Sequence, residues 1–344
     1  MTEQDETTLD EIQREHRQKA KVDLLQFLVT APHPFLASEL AERFKTDGQT
    51  ILGLVEEMAK EGRVFSFAER GILLLKEFLP THDSVKIDGS EIVEHRFGSI
   101  ADTHLASKYA RADVLSALYD YYEANGIKMV YLMGNMIDGE CRFNKHDLYA
   151  HGIEDQTDYF IANFPQRPGV TTKYITGDDH EGWYIQREGI NIGDYLEKKA
   201  AAAGRSDLRF VGHMEHNISL ERNGGKSTLR LIHAGGGTAY AISYTDQKYV
   251  ESLQGGEKPN VVLVGHHHKW NMGYPREVHT FQVGCIQDQT PFMRKKRIQA
   301  MVGGAVVTMK QEASGVIRSC CGEWIPFYDR SFYADDKLWK YRWK

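Results

Sequence analysis

Five short segments of this sequence hold the side chains that bind cations and move protons. They are Asp102-Thr103-His104, Gly134-Asn135-Met136-Ile137-Asp138, Gly177-Asp178-Asp179-His180-Glu181, an isolated His233, and Gly265-His266-His267-His268. In extended chain, positions i and i+2 point to one side, so Asp102 and His104 can grip one ion. Imidazole and carboxylate together suit borderline divalent ions such as Mn²⁺, Fe²⁺ or Zn²⁺. Donors from five segments exceed what one ion takes. Two ions about 3.5–4 Å apart can hold both the attacking and the leaving oxygen of a phosphate ester.

Each segment closes an apolar run: HRFGSIADTH, KMVYLMGNMID, TKYITGDDHEG, LRLIHAGGG and NVVLVGHHHK. Such runs read as strands, and YARADVLSALYDYYEANG, between the first two, reads as a helix. Strand, helix, strand is the order of α/β layers, which keep reactive residues just past the carboxyl ends of their strands. Upstream, the pattern predicts a short polar helix over 8–20, then a helix with Leu24, Leu25, Phe27 and Leu28 that Pro32 and Pro34 break. Ser38 can cap a second helix, SELAERF, and Leu52, Val55, Met58 and Ala59 mark the buried face of a third. Two β-prone runs, RVFSFA and GILLLKE, turn at Glu69-Arg70-Gly71 as a hairpin. Three helices and a hairpin resemble a winged helix-turn-helix. The expected domains are a polar helix or arm at 1–19, a winged-helix-like domain at 20–78, a linker at 79–91 and an α/β domain at 92–344.

The five segments, in this order, resemble the calcineurin-like metallophosphoesterase superfamily. Its motifs run D-x-H, G-D-x-x-D, G-N-H-[D/E], H and G-H-x-H, and four of the five are recognisable between Asp102 and His268. The resemblance implies a two-sheet β-sandwich flanked by helices, two divalent ions (Mn²⁺ foremost, with Fe²⁺, Zn²⁺ or Mg²⁺ as alternatives) and hydrolysis of a phosphate ester. Carried over by position, Asp102, His104 and His268 would hold the first ion. Asp179, His233 and His266 would hold the second, and Asn135 takes the bridging place. His180 would protonate the leaving oxygen, for which imidazole titrates in the right range. Asp138 would brace the site from behind. The glycines at 134, 177 and 265 would permit tight turns.

Two departures from the pattern concern charge. The family bridges its ions with an aspartate where this chain has Asn135, and a neutral amide offsets little of the repulsion between two cations. Conversely, Asp179 stands where the family has asparagine. One reading is a natural exchange of carboxylate and amide that keeps the total charge. The other is an engineered Asp→Asn at 135 that silences the enzyme and keeps its shape.

Other residues have plainer readings. His267 points away from its neighbours, toward structure or substrate, and His213 and His216 are ordinary strand or surface histidines. Gly235-Gly236-Gly237 either cradles phosphate or turns the chain. Cys141 and Cys285 are packing residues. Arg294, Lys295, Lys296 and Arg297 form a compact basic patch suited to nucleic acid. The tail, with Trp339, Tyr341 and Trp343 between basic residues, either docks as a strand or stacks on single-stranded bases.

Composition limits the alternatives. The chain has 344 residues, 41% hydrophobic and 26% charged, with a net charge of −6. That excludes a disordered chain, a collagen-like repeat and a coiled-coil rod. No apolar run reaches the ~20 residues of a membrane helix. Four cysteines are too few for a disulfide scaffold, and the polar, acidic start differs from a secretory signal, so the expected setting is cytoplasmic. Residues 1–85 carry 10 basic and 16 acidic side chains, so DNA binding through the third helix, with Glu56, Glu57 and Glu61, competes with a homodimer or protein contact. The reading is a metal-dependent phosphoric ester hydrolase acting on a phosphodiester in DNA, hence a nuclease. The alternatives are a phosphatase or cyclic-nucleotide phosphodiesterase with a small substrate, and a non-catalytic nucleic-acid- or protein-binding factor.

Overall fold

The structure is a computed structural model that describes residues 3–31, 33–60, 63, 65–68, 71–74, 81–86, 92–222, 224–237 and 239–327. The expected tail, with Trp339, Tyr341 and Trp343, lies outside them, as does all of 87–91. The chain divides into two compact units, Met1–Leu79 and Pro80–Lys344.

The first unit contains α1 (Glu3–Thr30), α2 (Ala37–Phe44), α3 (Gly48–Lys60), β1 (Phe65–Ala68) and β2 (Gly71–Leu74). The two helices expected over 8–20 and around Leu24 are one uninterrupted helix, because nothing before Pro32 breaks the backbone hydrogen bonding. Ser38 is not the cap of α2. Leu36 takes that place, and its N–H donates to the Glu39 carboxylate at 2.7 Å. Asp47 starts α3 by accepting the Thr50 N–H at 2.9 Å. The buried face of α3 is Ile51, Leu54, Val55 and Met58, whereas Leu52 is 42% exposed. These side chains pack with Leu24, Leu28, Leu40, Phe65, Ile72 and Leu74 in one core. β1 and β2 pair antiparallel, and Phe35 adds a bridge to Ile72. A Cβ on Gly71, at φ +114°, would fall 2.3 Å from the Phe35 carbonyl carbon, so only glycine fits there.

The second unit runs β3 (Thr81–Lys86), β4 (Ile92–Ile100), α4 (Ala112–Ala124), β5 (Met129–Met133), α5 (Gly152–Asn163), β6 (Thr171–Thr176), α6 (Gly182–Glu188), α7 (Ile192–Ala202) and β7 (Leu208–His213). It continues with β8 (Glu215–Arg222), β9 (Gly225–His233), α8 (Tyr244–Ser252), β10 (Val261–Gly265), β11 (Asn271–Gly273), β12 (His279–Gln282), α9 (Pro291–Lys296), β13 (Gly303–Glu312) and β14 (Ile317–Pro326). Two six-stranded sheets form, in the orders β14-β13-β4-β5-β6-β7 and β11-β12-β10-β9-β8-β3. The expected linker at 79–91 is in part a sheet strand, since β3 pairs in parallel with β8 and Lys173 grips Asp83.

Strand periodicity sorts the core into layers. In β5, Tyr131 and Met133 enter the cluster between the sheets, while Val130 and Leu132 face α4, α5 and α7. In β10, Val261 and Leu263 face the same inter-sheet cluster, while Val262 and Val264 pack with Val250 of α8. Helices therefore flank a two-sheet sandwich, as expected. Each such aliphatic side chain contributes about 1.5–3 kcal/mol through burial. β4, β5 and β6 run parallel in one sheet, and β9 runs parallel to β10 in the other. All five reactive segments follow the carboxyl ends of these strands.

Candidate metal centre

The loops after β4 and β5 are zipped together before any ligand is considered. Asp102 N–H donates to Gly134 O (3.1 Å), His104 N–H to Asn135 O (2.9 Å) and Asp138 N–H to Leu105 O (3.0 Å). Thr103 Oγ1 donates to Met136 O at 2.7 Å. These bonds hold an uncommon backbone. Asp102, His104, Asn135, His180, His266 and His268 all have positive φ, at 53°, 44°, 49°, 48°, 83° and 54°. Non-glycine residues there are strained by roughly 1–3 kcal/mol each, a cost that clusters at functional sites. Asp102 and His104 thus reach one place through left-handed backbone, not through the extended alternation the sequence suggested.

Three groups of donors result, each with its ligand atoms within 4.8 Å of one another: first Asp102, His104 and His268, second Asp179, His233 and His266, and third His104, Asp138 and His180, which shares His104 with the first. In the first, His268 Nε2 lies 3.5 Å from Asp102 Oδ1 and 3.3 Å from His104 Nε2. In the second, His233 Nε2 is 3.2 Å from Asp179 Oδ1 and His266 Nδ1 is 3.4 Å from Asp179 Oδ2. The first two groups are joined, because His266 N–H donates to Asp102 Oδ2 at 2.9 Å.

The outer nitrogens settle which atoms face inward. His104 Nδ1 donates to Asp138 Oδ1 (2.8 Å), His233 Nδ1 to Met133 O (2.8 Å) and His266 Nε2 to Gly236 O (2.8 Å). Oxygen acceptors on those sides turn His104 Nε2, His233 Nε2 and His266 Nδ1 toward the carboxylates, the arrangement of metal-binding histidines. Asp102 Oδ1, Asn135 Oδ1 and His266 Nδ1 are buried with no hydrogen-bond partner. Buried oxygen and imidazole donors without partners are costly unless a cation takes them. The donor set therefore fits two divalent ions.

Electrostatics agrees. Burial works against ionising Asp102, yet His268, His233 and His104 outweigh it and hold the carboxyl well below the usual range. For Asp179, burial is likewise outweighed, by the adjacent His233 and His266 imidazoles, which hold the carboxyl well below the usual range. Burial would lower His233, but Asp179 and Asp102 raise it to about 9. Burial and the neighbouring His180 push His104 down to about 4. Cations binding at the second group must displace the His233 proton.

His180 belongs to the third group, with His104 and Asp138. Its Nδ1 donates to Asp138 O at 2.8 Å and lies 3.5 Å from Asp138 Oδ1. Its ring stacks on Trp183, with centroids 4.8 Å apart. Asp138 is buried and held low: burial opposes its charge, but the His104 hydrogen bond and the nearby His180 outweigh that. His267 belongs to none of these groups, and burial pushes it down to about 4.

The glycines at 134, 177 and 265 do more than turn the chain. A Cβ on Gly134 would fall 2.3 Å from His233 Nδ1 and on Gly177 2.6 Å from His233 Cδ2, so their missing side chains make room for the His233 ring, whereas on Gly265 it would fall 2.1 Å from the Met133 carbonyl oxygen, where the two strands approach closely. In the Gly235–Gly237 run, Gly236 offers a carbonyl to His266, which fits a turn rather than a phosphate cradle. Arg294, Lys295, Lys296 and Arg297 lie outside these donor groups, exposed on the last turn and cap of α9.

No family model matches the sequence, and no curated protein matches it. Some solved structures do. An archaeal phosphodiesterase is similar at 10% identity over 67% of this chain and 100% of its own, with a TM-score of 0.35. Zinc-complexed Vps29 from Entamoeba histolytica is 12% identical over 68% of this chain and 100% of its own, at 0.32. A 5′-nucleotidase precursor from Thermus thermophilus is 13% identical over 68% of this chain and 54% of its own, at 0.36.

Two residues of the centre, Asn144 and Gln287, escaped the sequence reading, and a third, Glu181, was named there without a role. Glu181 is fully buried, and its Oε1 accepts the N–H groups of Asn135 (2.8 Å) and Gly177 (2.9 Å), tying two loops together. Asn144 Nδ2 and Gln287 Nε2 donate to Asp138 at 3.0 and 3.4 Å. Glu181 had a signal in its place directly after His180. Asn144 and Gln287 had none.

Proposed function

We propose that this chain is a calcineurin-like phosphoesterase with two divalent ions, acting on phosphodiesters in DNA. The observation that carries the reading is the pair of joined His/Asp groups, with Asp102 Oδ1, Asn135 Oδ1 and His266 Nδ1 buried there without a hydrogen-bond partner. Asp102, His104 and His268 would hold one ion, and Asp179, His233 and His266 the other, with Asn135 Oδ1 beside them. Two such ions supply charge neutralisation at the phosphate and a nucleophile at neutral pH.

The protein's own groups do the rest. Asp102 faces one group and braces the other through the His266 N–H. Asp138 fixes His104 with one carboxylate oxygen, while its backbone carbonyl fixes His180 Nδ1–H. In its imidazolium form His180 would carry a second proton, on Nε2, and give it to the departing oxygen, which leaves as the alcohol. Asp179 keeps a carboxylate in the centre although position 135 is an amide, which supports an exchange of roles between the two.

DNA is favoured by the exposed cations Arg294, Lys295, Lys296 and Arg297. The helical unit is assigned a protein contact, with a second copy or another partner, because α3 presents Glu56 outward and pairs Glu57 with Arg17 at 2.7 Å.

The test is Mn²⁺-dependent hydrolysis of end-labelled single- and double-stranded DNA by this chain and its Asn135→Asp variant, with a nucleotide-free aryl phosphodiester alongside. The variant is expected to cut DNA at least tenfold faster, as about 1.4 kcal/mol of added ion binding or transition-state charge compensation would give. Hydrolysis of the aryl diester alone would remove DNA from the reading. No hydrolysis of either by both proteins would leave a non-catalytic binding factor.

A further inference from the structure

Two loops at the metal centre each carry an exposed aromatic ring. After β5, the chain passes Arg142 and Phe143 before Asn144, whose amide reaches the Asp138 carboxylate. Phe143 is 72% exposed, and the Arg142 guanidinium lies 4.5 Å from its ring centroid. After β9, the glycine run leads to Tyr240, which is fully exposed. That loop is pinned to the centre twice, by His266 Nε2 on Gly236 O (2.8 Å) and by Lys269 Nζ on Ala239 O (3.1 Å). A Cβ on Gly235, Gly236 or Gly237 would meet nothing within 4 Å, so packing does not dictate this run.

An exposed ring is ordinary when it stands alone. These two differ, because both loops leave strands whose ends supply the centre, at Asn135 and at His233; Arg142 lies over the Phe143 ring, and Lys269, from the chain after β10, reaches the residue before Tyr240. A phosphodiester seated between the loops has a sugar and base on either side. An unpaired base offers a bare π-face that stacks on any aromatic ring, whatever the sequence, whereas duplex bases already stack on one another.

We propose that Phe143 and Tyr240 are stacking platforms for unpaired nucleobases flanking the phosphate, so that the substrate is single-stranded nucleic acid, with Arg142 and Lys269 facing its backbone. This rests on the phosphodiesterase reading above and narrows it.

The test is fluorescence anisotropy of the full-length, Mn²⁺-loaded chain with short phosphorothioate oligonucleotides that resist hydrolysis, intact or abasic. The intact strand should bind about tenfold more tightly than the abasic one, and Tyr240→Ala or Phe143→Ala should each weaken the intact strand about tenfold and spare the abasic one. Tyr240→Trp should retain binding. Tyr274→Ala, at an exposed ring between β11 and β12, should change neither strand. Equal affinity of the wild type for both strands, or equal losses on both strands in Tyr240→Ala, overturns the stacking role. Loss of aryl diester hydrolysis is a separate failure, of the reading beneath it.

Discussion

Asp102 and Asp246 are both carboxylates buried almost completely, at 0% and 2% exposure, and the protein treats them in opposite ways. Burial alone penalises the charged form of each. At Asp246, in the first turn of α8, the facing groups are neutral, with Asn271 Nδ2 donating to Oδ2 at 3.1 Å. Burial therefore wins and pushes the carboxyl up to about 6. At Asp102, three histidines reverse the outcome. Glu181 shows that closeness to the centre is not enough. Held by backbone N–H groups, it too is pushed by burial, up to about 8. Depth therefore does not mark a functional carboxylate here. What marks it is being kept ionised, at a folding cost, by imidazoles that would share its cation.

The comparison breaks most sharply at Asp102. Asp102→Ala removes a charge from the first group and the acceptor that positions His266. Metal per chain, read by mass spectrometry, should fall below two. Diester hydrolysis in the Asn135→Asp background should drop on the order of 10³-fold, the several kcal/mol expected of lost metal assistance. A variant still carrying two ions would show that Asp102 resembles Asp246 after all.

A smaller effect is expected at His180, which touches Asp138 and belongs to neither three-residue group that includes Asp102 or Asp179. His180→Asn should lower kcat by roughly 10²–10⁴-fold, the range for a general acid. Its metal content should stay unchanged, and a lost ion would make His180 a ligand instead.

Asp246→Asn should have the smallest effect, and it concerns stability alone. A carboxyl whose folded pKa is raised contributes stability below its unfolded value of 3.8, and that stability is lost as pH rises through about 6. The asparagine variant does not titrate. Thermal unfolding should therefore show no gain near pH 4 and a gain of roughly 2–3 kcal/mol above pH 6. A gain independent of pH would mean that the Asp246 charge is not what burial penalises.

Much of the second unit was legible in the sequence. Alternating apolar runs such as KMVYLMG place one face between the sheets and the other under helices, and period-2 geometry makes that almost independent of the rest of the chain. The strand ends were legible for the same reason, and with them the inventory of donors. Local signals did less well where a distant partner decided the outcome. β3 looked like linker because its apolar content is low, and only β8 makes it a strand. Leu52 fitted the helical spacing of α3 but lies on its open side, since Ile51, Leu54 and Val55 meet Leu24 and Leu28.

By itself, then, the sequence determined which donors exist, the order in which they come, and that they sit at the ends of strands. Only the tertiary structure decided how they divide. His266 and His268 are two residues apart, yet His266 joins Asp179 and His268 joins Asp102. Both have positive φ, so the alternation of an extended strand does not apply to them. The bonds that hold this backbone come from Asp102, from Gly236 across a separate loop, and from the His268 carbonyl, which accepts the Met301 N–H at 2.9 Å. Local preference favours other conformations at these residues, and the strain persists because contacts distant in the chain outweigh it.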